Sequence, residues 1–431
     1  MRYRVLFLND TARNGGPGRS LQTILAHVDP RVVHRGVVLP RAGAVSELLS
    51  TSRVVDELHF EPNLVENVVA PLTRAMQRDD FTAPLPVRAA RAVGNAGRAA
   101  LGLLRLARLV HRGRYDLLYC NGTTADFVGG AVAALTRVPA LWHVRYTELP
   151  PALVPVHRRL ALGASVARIL CVSGAAAAQF PHCPAKVRVV HNAVDLGQFS
   201  IAVARGQLRA ELGAGPDTVI FGAHGRVLRR KGIVELVHAA HRLQALLAPD
   251  ERARCRFVVV GDTPDDFRPD HVAECRALAG RLGLSAAFHF TGFRSDVRPL
   301  VADFDVAVVP SVYPDPLPRA VIEAMALGRP VLAFAVGGIA EMIESGRTGT
   351  LLGGAPPDVD GLARAMRDYL RDPARRAAEG AAGRALIEQR FDGARHGQII
   401  QSEIASVIET TRQRRTSAGA PKQHDRIHGI R

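Results

Sequence analysis

The stretch 306–334, VAVVPSVYPDPLPRAVIEAMALGRPVLAF, contains an apolar run, a proline-rich turn, a helical pattern and a second apolar run. VAVVP has the continuous apolar character of a strand buried on both faces, which belongs to a parallel sheet. SVYPDPLP is the turn leaving that strand's C-terminal end. AVIEAMAL then has helical spacing that stops at Gly328, before Pro330. Val331–Phe334 supplies the next strand. A strand–helix–strand unit of this kind predicts α/β layers, and the same alternation runs through nearly the whole chain.

In the first half, strands are expected at Arg4–Leu8, Val33–Leu39, Val54–Leu58, Leu117–Tyr119, Ala140–His143, Arg168–Val172 and Val187–Val190. The second half offers Val219–Ala223, Cys255–Val260, Ala287–Thr291, Val306–Pro310, Val331–Phe334 and Thr350–Leu352. Each set can build its own doubly wound sheet, and 431 residues exceed what one core usually holds. The pattern breaks at 195–217, DLGQFSIAVARGQLRAELGAGPD. The expected organisation is a Rossmann-like domain over 1–196, a linker over 197–216 and a second Rossmann-like domain over 217–385. A helix at 386–410 is expected to pack back on the first domain, followed by a disordered basic tail at 411–431, which is almost free of large apolar residues.

Composition is 47% hydrophobic and 22% charged, as in soluble globular proteins with sizeable cores. No run approaches the roughly 18 apolar residues of a membrane span. MRYRVLFLND is too short in its apolar part for a signal peptide. The five cysteines are scattered, without a CxxC pair, which argues against structural zinc and for reduced thiols in a cytoplasmic compartment. The net charge of +16 comes almost entirely from arginine and favours an anionic partner: nucleic acid, an acidic membrane surface or a phosphorylated substrate. A nucleic-acid binder needs stacking aromatics beside its arginines, and aromatics are only 5% here, so no nucleic-acid partner is expected.

Three constellations can carry chemistry. In the 306–334 unit, Pro318 fits the first helical turn, and the N–H groups of Arg319 and Ala320 then point outward at the positive helix end. That arrangement suits a phosphate or diphosphate. Asp315 can accept from sugar hydroxyls, and Glu323 from a vicinal diol such as a ribose. The second, FGAHGRVLRRKGIVELVHAA (221–240), runs a strand into Gly225 and Arg226, then into a loop with Arg229, Arg230 and Lys231 before Gly232. Fixed cations at a strand end stabilise the charge that grows on a departing diphosphate. The third, NDTARNGGPGRSLQTILAHV (9–28), is a glycine-rich anion cradle that lacks both the Walker and the GxGxxG patterns. Smaller marks are His143 and Arg145 in LWHVR, Asn192 and Asp195 in HNAVDLGQF, VVVGD, FTGF, and Gly337, Gly338 and Glu341 in VGGIAE.

Taken in order and spacing, these marks resemble glycosyltransferase family 4, retaining nucleotide-sugar transferases of the GT-B fold. The resemblance covers nearly the whole chain and is strongest over 187–352. It implies two Rossmann-like domains with parallel sheets facing across a cleft. It also makes Asp315 and Glu323 the two acids of the family's E-x7-E motif, with Asp in the first place. It implies catalytic roles for Arg226, Lys231, His143 and Asp315. The implied donor-binding set is Gly15, Gly16, Gly225, Leu317, Arg319, Ala320, Glu323 and Gly338. No metal and no cofactor beyond the nucleotide-sugar donor is implied, and the acceptor is expected to be a glycan or a lipid-linked molecule of cell-surface synthesis. A GT-B nucleotide-sugar epimerase is the nearest alternative. The stretch 86–114 repeats Arg91, Arg98, Arg105 and Arg112 at heptad spacing, with Arg108 beside them and Leu101, Leu104 and Val110 off the stripe. Such a basic amphipathic helix suits a peripheral contact with anionic lipid.

Overall fold

The computed structural model describes residues 2–13, 15–64, 85–264 and 269–419. Among these, thirteen strands form two all-parallel sheets. The first sheet contains β1 (Tyr3–Asn9), β2 (Val33–Leu39), β3 (Glu57–Phe60), β4 (Leu117–Asn121), β5 (Ala140–Val144), β6 (Val166–Cys171) and β7 (Val187–Val189). Their order is β3-β2-β1-β4-β5-β6-β7. The second sheet contains β8 (Val219–His224), β9 (Cys255–Val260), β10 (Phe288–Gly292), β11 (Val306–Val309), β12 (Val331–Phe334) and β13 (Gly349–Leu352), in the order β10-β9-β8-β11-β12-β13.

Every expected strand is present, because parallel strands covered on both faces read as continuous apolar runs. In each sheet the order reverses once, between β1 and β4 and between β8 and β11. Open α/β sheets bind ligands outside the strand ends at such reversals. The residues there are Asn9 and Asn121 in the first sheet, and His224 and the turn after Val309 in the second.

The boundaries need four corrections. The third strand forms at Glu57–Phe60 rather than Val54–Leu58, since Arg4, His34 and Tyr115 all converge on the Glu57 carboxylate. The expected linker contains a short helix, Gln207–Glu211, started by Asp303, whose carboxylate accepts from the N–H groups of Gly206, Leu208 and Arg209. The helix Pro373–Arg390 stays with the second half, and the chain crosses back only afterwards, where Val194 N–H donates to Phe391 O and Gly393 N–H to Val194 O. Finally, the last helix spans Gly393–Gly419, so 411–419 is helical and not disordered. Its Arg412 reaches Asp116 at 2.8 Å and anchors that extra length, while the tail beyond Gly419 lies outside the described residues. The last helix packs on the helix Gly16–His27 of the first half. Its Ile400 and Ile404 are fully buried in one cluster with Val5, Phe7, Leu21 and Ile24, and each such burial contributes roughly 1.5–3 kcal/mol. All five cysteines are buried and free. No described helix is long and apolar enough to cross a membrane.

Candidate active site

The turn after β11 leads into the helix Arg319–Ala326. Pro318 is its N-cap, with φ −67 and ψ 126, one position earlier than its expected place inside the first turn. No side chain caps this end, so the leading amides belong to Arg319 and Ala320. Leu317 buries its side chain at 3% exposure, and its carbonyl accepts from Asn192 Nδ2 at 3.1 Å.

Glu323 is 5% exposed and held from two sides. Arg319 Nε meets Oε1 at 2.9 Å, and His224 Nε2, at the end of β8, lies 3.2 Å from Oε2. Burial pushes this carboxyl up, but Arg319 and His224 outweigh it and hold it down at about 2. Glu323 is therefore ionised, and each oxygen keeps a lone pair for a further donor.

Asp315, 3% exposed, places Oδ2 2.5 Å from Lys231 Nζ. Its carbonyl accepts from Gly338 N–H at 2.8 Å. Gly337 has φ +55, and a Cβ there would fall 2.3 Å from Asp315 O, so the glycine pair is what lets this turn close. Gly338 thus supports the acid-bearing turn through the backbone.

The basic loop divides its labour. Arg229 pairs with both oxygens of Glu235, at 2.7 and 2.9 Å, in the first turn of the next helix. Arg230 lies over the Tyr313 ring, 4.7 Å from its centroid. Lys231 sits 5.4 Å from the same ring and points at Asp315. The loop ends at Gly232, φ +74, where any Cβ would meet Pro310 O at 1.6 Å. This second close approach seats the loop on the end of β11. Arg226, reached through the exposed Gly225, is half-buried, and burial together with Arg230 lowers its pKa from the ordinary arginine value. Its guanidinium lies beside Gly15 of the first half: a Cβ on Gly15 would stand 3.8 Å from its Cζ. Gly16 next to it faces open space.

His143 does not join this cluster. It lies inside β5 with no exposed surface, and its Nδ1 is 2.5 Å from Tyr119 OH and 3.2 Å from an Arg145 nitrogen. A side chain so covered reaches the turn after β11 only through others. The structure thus places His143 under Tyr119 and Arg145.

Two contacts across the halves are not legible in the sequence, although Glu341 itself is marked there. Thr147 donates to Pro314 O at 2.5 Å, and the Glu341 carboxylate accepts from Gly174 and Ala175 N–H at 2.9 and 3.1 Å, with His191 at 3.3 Å. His224 and Tyr313 were equally unassigned. The only local signal was their position immediately at or after a strand end.

The buried histidines give this chain an acid-sensitive fold. Burial, then Arg145, pushes His396 down to about 3, and burial beside His182 pushes His157 down to about 4. Burial also lowers His143. Unfolded, each takes up a proton near its ordinary 6.5, so below that pH the unfolded chain binds more protons. Stability therefore falls as pH drops from 6.5 towards about 4, by up to about 1.4 kcal/mol per group for each pH unit. Burial pushes the Asp126 carboxyl up from its ordinary 3.8, which works in the opposite direction and offsets part of the loss. The urea midpoint is expected to fall between neutral pH and about pH 5; a midpoint that holds or rises contradicts this.

The architecture and the cluster at the two strand-order reversals define a GT-B glycosyltransferase. Anabaena HepE, in complex with UDP and glucose, superposes with a TM-score of 0.75 at 24% identity, covering 94% of this chain and 100% of that one. Family models described as Glycosyl transferases group 1 and Glycosyltransferase Family 4 match residues 218–372 and 65–198. The 2-deoxystreptamine glucosyltransferase of Streptomyces kanamyceticus is 30% identical over 355 residues, 76% of this chain and 85% of that enzyme. The D-inositol 3-phosphate glycosyltransferase of Streptomyces scabiei is 31% identical over 304 residues, 64% and 65% of the two chains. The chain belongs to glycosyltransferase family 4.

Proposed function

We propose that this glycosyltransferase moves a hexosyl group from a nucleotide-diphosphate sugar to an acceptor hydroxyl, with retention of configuration and without a metal ion. The observation that carries the proposal is that Lys231 meets Asp315, whose charge Arg226 also feels, on the turn that leads into the uncapped helix Arg319–Ala326 and its Glu323. Arg226 and Lys231 neutralise the departing diphosphate, which is the work a divalent cation does elsewhere. Glu323 accepts from the ribose diol and Asp315 from the sugar hydroxyls. The acceptor oxygen attacks the anomeric carbon on the face the diphosphate leaves. The anomeric carbon–oxygen bond breaks with its electron pair going to the diphosphate, and the hydroxyl proton follows to a leaving phosphate oxygen. Both acids already have cationic partners, so neither is assigned as a nucleophile.

The names of the relatives support a glucosyl-type donor and, through the HepE complexes, uridine as a base to try first. A panel of UDP- and GDP-hexoses, with nucleoside diphosphate release as readout, tests the donor. NMR of the product anomer tests retention, and chelator tests metal independence. No release from any donor would sink the proposal.

For the acceptor we favour a glycan or lipid-linked molecule of cell-surface synthesis, held near an anionic membrane. Support comes from the helix Leu85–Arg112, where Leu101 and Leu104 are exposed beside Arg105, Arg108 and Arg112. Val110, off the arginine stripe, is buried in the core at 1% exposure, and the side chain of Arg91 lies outside the described residues. Each arginine near an anionic surface contributes about 1 kcal/mol. Changing Arg105, Arg108 and Arg112 to Glu is expected to reduce sedimentation with phosphatidylglycerol vesicles by at least about ten-fold. Unchanged sedimentation would favour a soluble polyol acceptor, such as those in the relatives' names.

A further inference from the structure

Four polar side chains join the glycine loop of the first half to the donor turn of the second. Asn121, at the end of β4, donates from Nδ2 to Asn9 Oδ1 at 2.6 Å and to Pro17 O at 3.2 Å. Arg145 Nε donates to Asn121 Oδ1 at 2.7 Å, and its Nη1 to Asn192 Oδ1. Asn192 Nδ2 then donates to Leu317 O at 3.1 Å, the carbonyl immediately before the Pro318 cap. Asn9, Asn121 and Asn192 are 1%, 0% and 6% exposed, so these bonds are shielded from water.

The chain has a fixed polarity. Arginine offers donors only, so Asn192 must turn its oxygen to Arg145, and its NH2 is left facing the Leu317 carbonyl. The residues beside Asn192 also reach across: His191 to Glu341, Ala193 O to Arg319 Nη1 at 3.0 Å, and Val194 to Phe391. None of them has the side-chain relay back to Pro17 that Asn192 has through Arg145.

We infer that Arg145 and Asn192 are positioning residues for glycosyl transfer: they fix the leading amides of the helix Arg319–Ala326 relative to the loop at Gly15–Gly16. The inference rests on the reading of those amides as diphosphate ligands. Donor binding to the second half needs neither residue. Transfer needs both halves in register, and a misplacement of about 1 Å costs roughly 100-fold in rate.

Asn192→Asp tests this in the full chain. The variant keeps the shape and an acceptor towards Arg145, but sets an oxygen against the Leu317 carbonyl. The expected result is a fall in kcat of about 10- to 100-fold, with the donor KM changed by less than about three-fold. Amide exchange at Arg319–Ile322 in the ligand-free chain should rise by about ten-fold, with the melting temperature nearly unchanged. Arg145→Lys, which cannot span both partners, should lose kcat in the same way. Asn192→Asp with kcat and exchange both within about two-fold of the parent overturns the inference. So does a loss of kcat that only follows a loss of folded protein. If the parent releases no nucleoside diphosphate from any donor, the donor reading falls, while the exchange measurement still decides the link.

Discussion

Lys231→Ala is expected to lower turnover of the nucleotide sugar by about 10²–10³-fold, the usual cost of removing one group that stabilises developing charge. Lys231 is poised for that task, since it sits on a turn locked by Gly232 against Pro310 and is held in place by Asp315 at 2.5 Å. Its ammonium is partly exposed, with 24% of the side chain accessible, so an incoming diphosphate can reach it. The Asp315 side chain is 4% exposed, so removing its partner strands a buried carboxylate, which costs about 3–5 kcal/mol of stability. The two effects separate in the double variant Lys231→Met with Asp315→Asn. It should recover most of the stability, because no charge is left unpaired, and remain as inactive as the single variant. Measuring kcat and urea midpoints for both variants checks this; a double variant that regains activity would remove Lys231 from the chemistry.

Glu323→Gln is the second large effect. The parent carboxylate carries Arg319 and His224 on separate oxygens; the amide keeps an acceptor for Arg319, turns an NH2 towards His224 and carries no charge. The donor KM is expected to rise by about 10- to 100-fold, as for a lost charged hydrogen bond to a ribose diol. The stability loss depends on pH with a definite sign. The folded value of about 2 lies below the ordinary 4.5, so the stabilisation is fully present above pH 4.5 and disappears as pH falls towards 2. At about 1.4 kcal/mol for each pH unit, it amounts to something on the order of 3 kcal/mol at neutral pH. The gap in unfolding free energy between parent and Glu323→Gln should therefore narrow from neutral pH to about pH 3. A gap that widens under acid would mean that Glu323 is not the ionised partner described above.

The fold was legible because its information is local. Runs such as RVLFL and CRFVVV are apolar on both faces, and only a strand covered by helices can use them. The misplaced third strand marks the limit. Glu57 begins it because Arg4, His34 and Tyr115, all remote in sequence, gather on one carboxylate. The extra length of the last helix follows the same logic: its polar end looks disordered until Arg412 finds Asp116 and Glu409 meets Tyr3 OH at 2.5 Å.

The site divides along the same line. Asp315, Glu323 and the basic loop with Lys231 sit in short motifs whose spacing can be read directly. The partners that set their state do not. His224 on Glu323 is made where β8 ends beside the turn after β11, Arg145 on Asn192 where the chain leaves β5 and β7, and only Glu341 on the Gly174 and Ala175 amides by the two halves meeting. His143 could be picked out as a residue at a strand end, but its burial beneath Tyr119 and His396 depends on the returning C-terminal helix.

The central claim is that a nucleoside diphosphate lies between Arg226, Lys231 and the amides of Arg319 and Ala320. A crystal structure of the full chain with UDP or GDP tests it most directly. The account predicts diphosphate oxygens within hydrogen-bond distance of those four groups, with the ribose hydroxyls on Glu323. A nucleotide bound elsewhere, or a ribose turned away from Glu323, would contradict it.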